Sequence, residues 1–179
     1  TGDVTFALAA AGAEATGFDF SEPMLEAARR RAGAIPEGRS KPPQFQQGDA
    51  LNLPFPDASF EVVTISYGLR NLADFDRGLG ELTRVLRPGG RLLVLDFGKP
   101  ANAAWRWGYF QYLRWLVPLF GRLFCGDGDT HAYILDSLRK FPAQRGIDAT
   151  LRELGYPETR VVNLLGGVMG LNFGRRAIG

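Results

Sequence analysis

An α/β fold with a doubly wound, parallel sheet is predicted for this chain, and two observations predict it. Short apolar runs of strand character alternate with stretches whose apolar residues recur at helical spacing, the order that builds parallel sheets. The polar residues able to carry chemistry lie just past the ends of those runs, at Asp19, at Asp49 and over Ser66–Asn71. Open α/β sheets bind their ligands beyond the carboxyl ends of their strands.

The elements follow in order. Thr1-Gly2-Asp3 leads straight into a helix over Val4–Ala11, with Val4, Ala7, Leu8 and Ala11 at helical spacing and Gly12 to end it. Ala13–Phe18 reads as a short strand stopping at Asp19. Ser21 is a suitable N-cap, with Glu22 and Pro23 in the first turn of a helix to about Ala32 that turns Met24, Leu25, Ala28 and Ala32 inward. Arg29, Arg30 and Arg31 read as its solvated face. After a loop rich in Pro, Gly and Ser, Gln44–Gln47 and Phe60–Ser66 are strands, separated by Leu53-Pro54-Phe55-Pro56. Asp74–Leu86 is a helix with Phe75, Leu79, Leu82 and Leu86 on one side, stopped by Arg87-Pro88-Gly89-Gly90. Arg91–Phe97 is a buried strand. Ala104–Phe124 is an aromatic stretch interrupted by Arg106, Arg114 and Arg122, in which Pro118 should break any helix. Tyr133–Phe141 and Ile147–Leu154 are helical, and Arg160–Leu165 with Met169–Arg175 form a closing strand pair around Gly166-Gly167.

With 179 residues, 45% of them hydrophobic and 22% charged, one domain over 1–179 is expected, carrying an aromatic lid or insert at about 101–130. A net charge of +2 without any block of like charges argues against a nucleic-acid partner. Cys125 has no second cysteine to pair with, which fits a reducing, cytoplasmic compartment. One Cys and one His, His131, leave too few ligands for a zinc cage, so no metal is expected. The longest run without Arg in the aromatic stretch is Trp115–Gly121, too short for a membrane span.

The candidate site residues follow from the strand ends. Asp19 can accept both hydrogen bonds of a ribose diol, or it can serve the next helix N-terminus. Asp49 offers acceptors to an adenine amino group, with the Ala50 backbone beside it, or it is a turn residue. Gly2, before a helix, permits close backbone approach, and the helix amides attract anions. Arg70-Asn71 makes a strong donor pair for an anionic oxygen, unless Arg70 pairs with Asp74 or Asp76. His131 could act as a base but sits in a polar segment. No Gly-x-Gly-x-x-Gly, phosphate loop or Gly-x-Ser-x-Gly occurs.

Five segments together resemble the ubiquinone/menaquinone biosynthesis C-methyltransferases of the UbiE/MenG type. They are Thr1-Gly2-Asp3, Asp19–Leu25, Gly48–Asp57, Ile65–Asn71 and Arg84–Leu95, with Tyr133, Ser137 and the tail from Asn163 to Arg175 also fitting. The resemblance implies a class I S-adenosylmethionine-dependent methyltransferase fold, Rossmann-like, with the last strand antiparallel. It implies that Thr1, Asp19, Asp49, Ala50 and Ser66 contact S-adenosylmethionine, with Gly2, Asp3 and Phe20 in the same candidate site. The family has a strand and a glycine-rich loop just before Thr-Gly-Asp, and a helix earlier still; these are expected before Thr1. Tyr67 stands where Phe is common.

The activity implied is methylation of a ring carbon of a polyprenyl quinol, demethylmenaquinol being favoured over a benzoquinol. Arg70 and Asn71 are the candidates for the ring oxygen, and Tyr133 or a water for the proton. Composition alone leaves two roles for the aromatic stretch, wrapping the prenyl tail or peripheral contact with the inner face of the plasma membrane, and a homodimer is the assembly to test. Three other readings share parts of the pattern: a nicotinamide oxidoreductase, a methyltransferase for another small molecule, and a non-catalytic cofactor-binding protein.

Overall fold

The alternation of strand and helix is realised in the computed structural model, which describes residues 1–34, 42–120 and 129–178; for residue 120 and residues 129–133 it describes the backbone alone. The chain divides into two units, Thr1–Pro54 and Phe55–Gly179. Parallel pairing, an antiparallel closing strand and flanking helices give the expected α/β class, with the strands carried in two sheets rather than one.

In the first unit, helix α1 (Asp3–Ala10) begins after Gly2, whose φ of 83° is left-handed. A Cβ there would stand 2.9 Å from the Phe45 ring, so packing as well as conformation requires glycine. The helical spacing locates α1 but not its inner face: Ala9 is buried, whereas Val4, Ala7 and Ala11 are exposed. Strand β1 (Thr16–Asp19) pairs in parallel with β2 (Gln44–Gln47), Asp19 lying opposite Gln47. Between them α2 (Glu22–Gly33) buries Leu25 and Ala28. Met24, expected inward, is exposed because it lies one helical step off the stripe that Leu25, Ala28 and Ala32 define. The three arginines are on the exposed face as expected and are all paired, Arg29 to Glu22 at 2.5 Å, Arg30 to Glu26 at 3.8 Å and Arg31 to Asp3 at 2.9 Å.

The second unit holds a four-stranded sheet in the order β3 (Phe60–Ser66), β4 (Leu86–Phe97), β6 (Met169–Arg175), β5 (Glu158–Leu164). β3 and β4 run parallel, with Ser66 opposite Leu95; β6 is antiparallel to both its neighbours. β4 is the core of this unit, Leu92 and Val94 being fully buried. It starts earlier than expected, because Leu86 already pairs with Phe60 and the Gly89-Gly90 turn bonds to the backbone of Arg176.

Helix α3 (Phe75–Val85) buries Leu79, Leu82 and Val85, each side chain contributing about 1.5–3 kcal/mol on removal from water. Its first turn is capped by Asp74, which accepts from the Arg77 N–H at 2.9 Å. Its last carbonyls, with that of Leu86, accept from the Arg176 guanidinium, 2.9 Å from the Thr83 oxygen. Helix α7 (Ala143–Glu153) packs on β5 and β6 through Ile147 and Leu151. Gln144, at its start, accepts from the Lys99 N–H at 2.9 Å and donates to the Lys99 carbonyl and to Asn163.

The aromatic stretch differs most from expectation. Helix α4 (Ala103–Gln111) continues through a π-helical turn over Tyr112–Leu116 into α5 (Val117–Phe120). Pro118 therefore does not end the helix. It lacks an N–H and its ring crowds the carbonyl of Arg114, and the helix widens in the turn before it to accommodate both. The remainder of the expected insert, 121–128 with Cys125, lies outside the described residues. Helix α6 (Asp129–Lys140) follows. Replacing Asp74 by Ala removes the α3 cap and should lower unfolding stability by about 1 kcal/mol, measured by urea denaturation with an unchanged slope.

Candidate active site

The N-terminal unit brings its predicted residues to one end of a two-stranded sheet. Asp19 closes β1 and Asp49 follows β2 by two residues; the strands run parallel, so both carboxylates emerge at the same end. The Gly48 N–H donates to the Asp19 carbonyl at 3.0 Å and fixes that juxtaposition. Each carboxylate spends one oxygen locally. Asp19 Oδ1 accepts from the Ser21 N–H at 2.9 Å, and Asp49 Oδ1 accepts from the Leu51 N–H at 2.9 Å. Ser21, expected to cap α2, makes no side-chain cap bond, and the Asp19 bond is to the N–H of Ser21 itself, ahead of the helix. Both carboxylates are exposed, and their second oxygens meet no donor among the described residues.

Phe20, next to Asp19, is 77% exposed, an apolar surface beside two acceptors. Ala50 is half-buried. Thr1 and Asp3 are occupied with each other and with α2. The Thr1 hydroxyl donates to Asp3 at 2.8 Å, and Arg31 donates to the Thr1 carbonyl at 2.6 Å. The Thr1 hydroxyl and the Arg31 guanidinium hold the Asp3 carboxyl below its usual range. Gly2 makes its close approach to Phe45 of its own unit.

In the C-terminal unit Ser66 is exposed at the end of β3, and the chain then turns through Tyr67 at φ 55°. A bulky residue in that region is strained by about 1–3 kcal/mol. Five contacts hold it, one of them the bond its hydroxyl donates to Met169 Sδ at 2.9 Å. Its N–H donates to the Leu95 carbonyl at 2.8 Å, its carbonyl accepts from Arg70 at 3.0 Å and from Asn71 at 3.2 Å, and its ring lies 5.2 Å from Phe97. Residues Leu69–Asn71 form a 3-10 turn.

Arg70 is not the free donor that the sequence suggested. Its partner is neither Asp74, which caps α3, nor Asp76, but Asp96 near the end of β4. The pair stands 3.4 Å apart with side chains 9% and 2% exposed. Asp96 also accepts the N–H groups of Arg70, at 3.2 Å, and Phe97, at 2.8 Å. Burial pushes the Asp96 carboxyl above its usual range, opposed by those two N–H groups and the Arg70 charge. The guanidinium also lies over the Phe97 ring at 5.0 Å.

Two residues escaped the sequence reading. Asp96 interrupts an apolar strand near its carboxyl end, a signal that was available. Tyr109, on α4, sits inside a run of eight aromatic side chains and nothing in the pattern separates it from them. It is 6% exposed, its hydroxyl is without a hydrogen-bond partner among the described residues, and burial pushes its pKa up to about 12. Helix α6, which carries Tyr133, packs on the 69–71 turn. The side chains of Tyr133 and His131 lie outside the described residues.

Solved structures share this architecture. A SAM-dependent methyltransferase from Methanosarcina mazei superposes with a TM-score of 0.66 at 18% identity, covering 99% of this chain and 89% of that one. The CMeT domain of the citrinin polyketide synthase gives 0.65 at 20% identity, over 100% of this chain and 44% of that one. The fold is that of the S-adenosylmethionine-dependent methyltransferases.

Sequence narrows the class. Residues 1–176 match the ubiE/COQ5 methyltransferase family, and the chain belongs to that family. A demethylmenaquinone methyltransferase from Thermus thermophilus is 42% identical over 98% of this chain and 79% of its own length. One from Desulfitobacterium hafniense is 40% identical over 90% of this chain. A ubiquinone/menaquinone biosynthesis C-methyltransferase UbiE from Teredinibacter turnerae is 37% identical over 89% of it. The chain spans 63% of the length of each of the last two.

Removing Asp96 alone leaves a buried charge without a counterion, so Asp96→Ala should destabilise the protein by about 3–5 kcal/mol, whereas the double variant Asp96→Leu/Arg70→Met should recover most of that loss. Thermal denaturation of both variants checks it; equal losses would mean the two side chains are not coupled.

Proposed function

We propose that this protein transfers a methyl group from S-adenosylmethionine to a ring carbon of a polyprenyl hydroquinone, demethylmenaquinol above all. The observation that carries the reading is the family match over residues 1–176, with relatives named for that reaction. The residues present fit the cofactor. Two exposed carboxylates at one strand end, each with an oxygen that meets no donor among the described residues, suit a ribose diol and an adenine amino group. The exposed ring of Phe20 offers an apolar face for the base. Asp19, Phe20, Asp49 and Ala50 would hold the nucleoside, with Thr1, Gly2 and Asp3 ahead of α1 as further contacts.

S-adenosylmethionine, when bound, supplies a methyl group on a sulfonium, already electrophilic enough to need no metal. The protein's own task is to orient the ring for in-line attack and to favour the ionised form of its oxygen. Arg70 suits the second role as a fixed positive charge. A guanidinium carries five N–H donors and no acceptor, so it is suited to holding charge rather than to taking a proton, and its pairing with Asp96 keeps it in place. Asn71, exposed beside it, is a second donor, and Tyr133 or a water takes the proton.

The aromatic helix supports peripheral contact with a membrane, where a polyprenyl substrate resides. Trp107 and Trp115 are 68% and 64% exposed, with Trp105, Tyr112, Leu116 and Leu119 also outward. Arg114 lies over the Trp115 ring at 5.0 Å, a cation among amphipathic rings such as interfacial helices carry. No helix among the described residues is long and apolar enough to cross a membrane.

Three measurements bear on this reading. In calorimetric titration, Asp19→Ala should weaken S-adenosylmethionine binding by roughly tenfold or more, the loss of a charge-assisted hydrogen-bond pair. Arg70→Ala should change it by less than about tenfold while turnover of demethylmenaquinol, followed by product mass spectrometry, falls by about a hundredfold or more; retained turnover would sink the assignment. Flotation with anionic liposomes should be lost when Trp107 and Trp115 are both replaced by Ser; equal flotation argues against membrane contact.

A further inference from the structure

The turn that joins β5 to β6 keeps a large apolar side chain where the backbone disfavours one. Leu165 has a φ of 50°, in the region that glycine occupies at least cost, and the next two residues, Gly166 and Gly167, take that region as glycines. Leu165 is nevertheless 70% exposed, so burial does not offset the strain. Tyr67, at φ 55°, is the same case on the turn that leaves β3, a large ring exposed on left-handed backbone. Strain of this kind collects at functional sites.

Strand register connects the two residues. Phe97 on β4 pairs with Met169 on β6, and Met169 pairs with Leu164 on β5. Residues directly opposite share a face of the sheet, so these three side chains form one row, about 10 Å long from β4 to β5. The Tyr67 ring lies 5.2 Å from that of Phe97 and its hydroxyl donates to Met169 Sδ at 2.9 Å, which places Tyr67 beside the β4 end of the row. At the β5 end Leu165 follows Leu164, and the indole N–H of Trp105, in the first turn of α4, donates to the Leu165 carbonyl at 3.3 Å. The phenol and the indole N–H are both spent on the protein itself. The row therefore presents hydrocarbon and rings to the outside: Tyr67, Leu164, Leu165 and Trp105 are exposed, Phe97 and Met169 half-buried.

We propose that this row is the track for the isoprenoid tail of the quinol. The tail leaves the ring beside Arg70, crosses Phe97, Met169 and Leu164, and reaches Leu165 and Trp105. The assignment rests on the proposed function, which supplies the substrate class, and on continuity with the residues proposed to hold the ring oxygen. Phe97 lies 5.0 Å under the Arg70 guanidinium, and the Tyr67 carbonyl accepts from both Arg70 and Asn71. One row of side chains suits one hydrocarbon chain, whereas a stable protein partner would bury about 800 Å² on each side. The far end of the track is the start of α4, so the tail runs toward the helix proposed to meet the membrane. Leu165 is then a specificity residue, favouring quinols that carry a tail.

The test compares Leu165→Asn and Leu165→Met with wild type in the full-length protein. Asn tolerates the left-handed region and replaces hydrocarbon by an amide, while Met keeps the surface apolar. Two substrates are offered in solution without lipid: a demethylmenaquinol with two isoprene units, and 1,4-naphthalenediol, which has no tail. The preference for the tailed quinol, the ratio of the two kcat/KM values, should fall about tenfold in Leu165→Asn, mainly through KM, and stay within about twofold of wild type in Leu165→Met. An unchanged ratio in Leu165→Asn, or an equal loss in the two variants, overturns the track. If Leu165→Asn does not fold, Leu165→Gly, at ease at the same φ, carries the comparison. Binding of the two quinols, followed by tryptophan fluorescence, separates the track from the reaction. Tail-dependent binding that Leu165→Asn weakens, without methylation of either quinol, keeps the track and removes the reaction. Methylation of both quinols with no dependence on Leu165 removes the track and keeps the reaction.

Discussion

The architecture of the C-terminal site depends on the burial of one carboxylate. Asp96 is nearly inaccessible near the end of a strand whose other inward residues are Leu92 and Val94. An ionised group in such a place is tolerated only when donors surround it. Three converge: the Phe97 N–H, the Arg70 N–H and the Arg70 guanidinium. Two of the three come from the turn that leaves β3, so satisfying Asp96 also dictates where that turn lies. The left-handed backbone at Tyr67 follows from the same demand, since the chain must reverse within a few residues of Ser66 to bring Arg70 back over β4. Strain at one residue is thus balanced by the neutralisation of another.

The N-terminal unit is organised differently. Its charges lie at the surface and are paired there: Arg31 gathers Asp3 and the Thr1 carbonyl while lying 4.7 Å over the Phe6 ring. Surface pairs of this kind contribute little each, but together they fix the start of α1 against α2. What this unit contributes to function rests on pairing register. With Asp19 opposite Gln47 and Gly48 bonded back to Asp19, the two carboxylates emerge at one strand end. A slip of one residue would turn one of them to the other face.

Much of this was legible in the sequence, for physical reasons. Strands β2 and β3 were located to the residue because Pro, Gly and Asp punctuate both ends of each run. Helix α3 was legible because its apolar spacing and the Arg-Pro-Gly-Gly stop agree, while the capping role of Asp74 emerged from the structure. Local chemistry could not show which faces are buried in short helices, so Met24 was placed inward when Leu25 takes that position. Nor could it show the partner of Arg70. The two nearest acids in sequence, Asp74 and Asp76, were the natural candidates, and parallel strand pairing instead delivered Asp96, 26 residues away. Tyr109 was hidden by company: among the aromatics of that stretch whose side chains are described, burial alone distinguishes it, and burial is a tertiary property.

The widened turn at Tyr112–Leu116 carries a consequence for how this segment can vary in length. A π-helical turn is an α-helix that has absorbed one extra residue without breaking. Here the Val117 N–H reaches back to the Tyr112 carbonyl, five residues away, so the surplus is confined to a single turn. A chain one residue shorter at this point would relax to ordinary α-helical pitch. Helix α4 would remain where it is, and α5 would be drawn back and swung round by about a hundred degrees. The outward Leu119 beyond the turn would change sides while Tyr109, before it, would not move. The surplus residue therefore acts as a phase setting: it uncouples the orientation of the exposed Trp115–Leu119 end from that of the buried Tyr109 end, within what is otherwise one continuous rod.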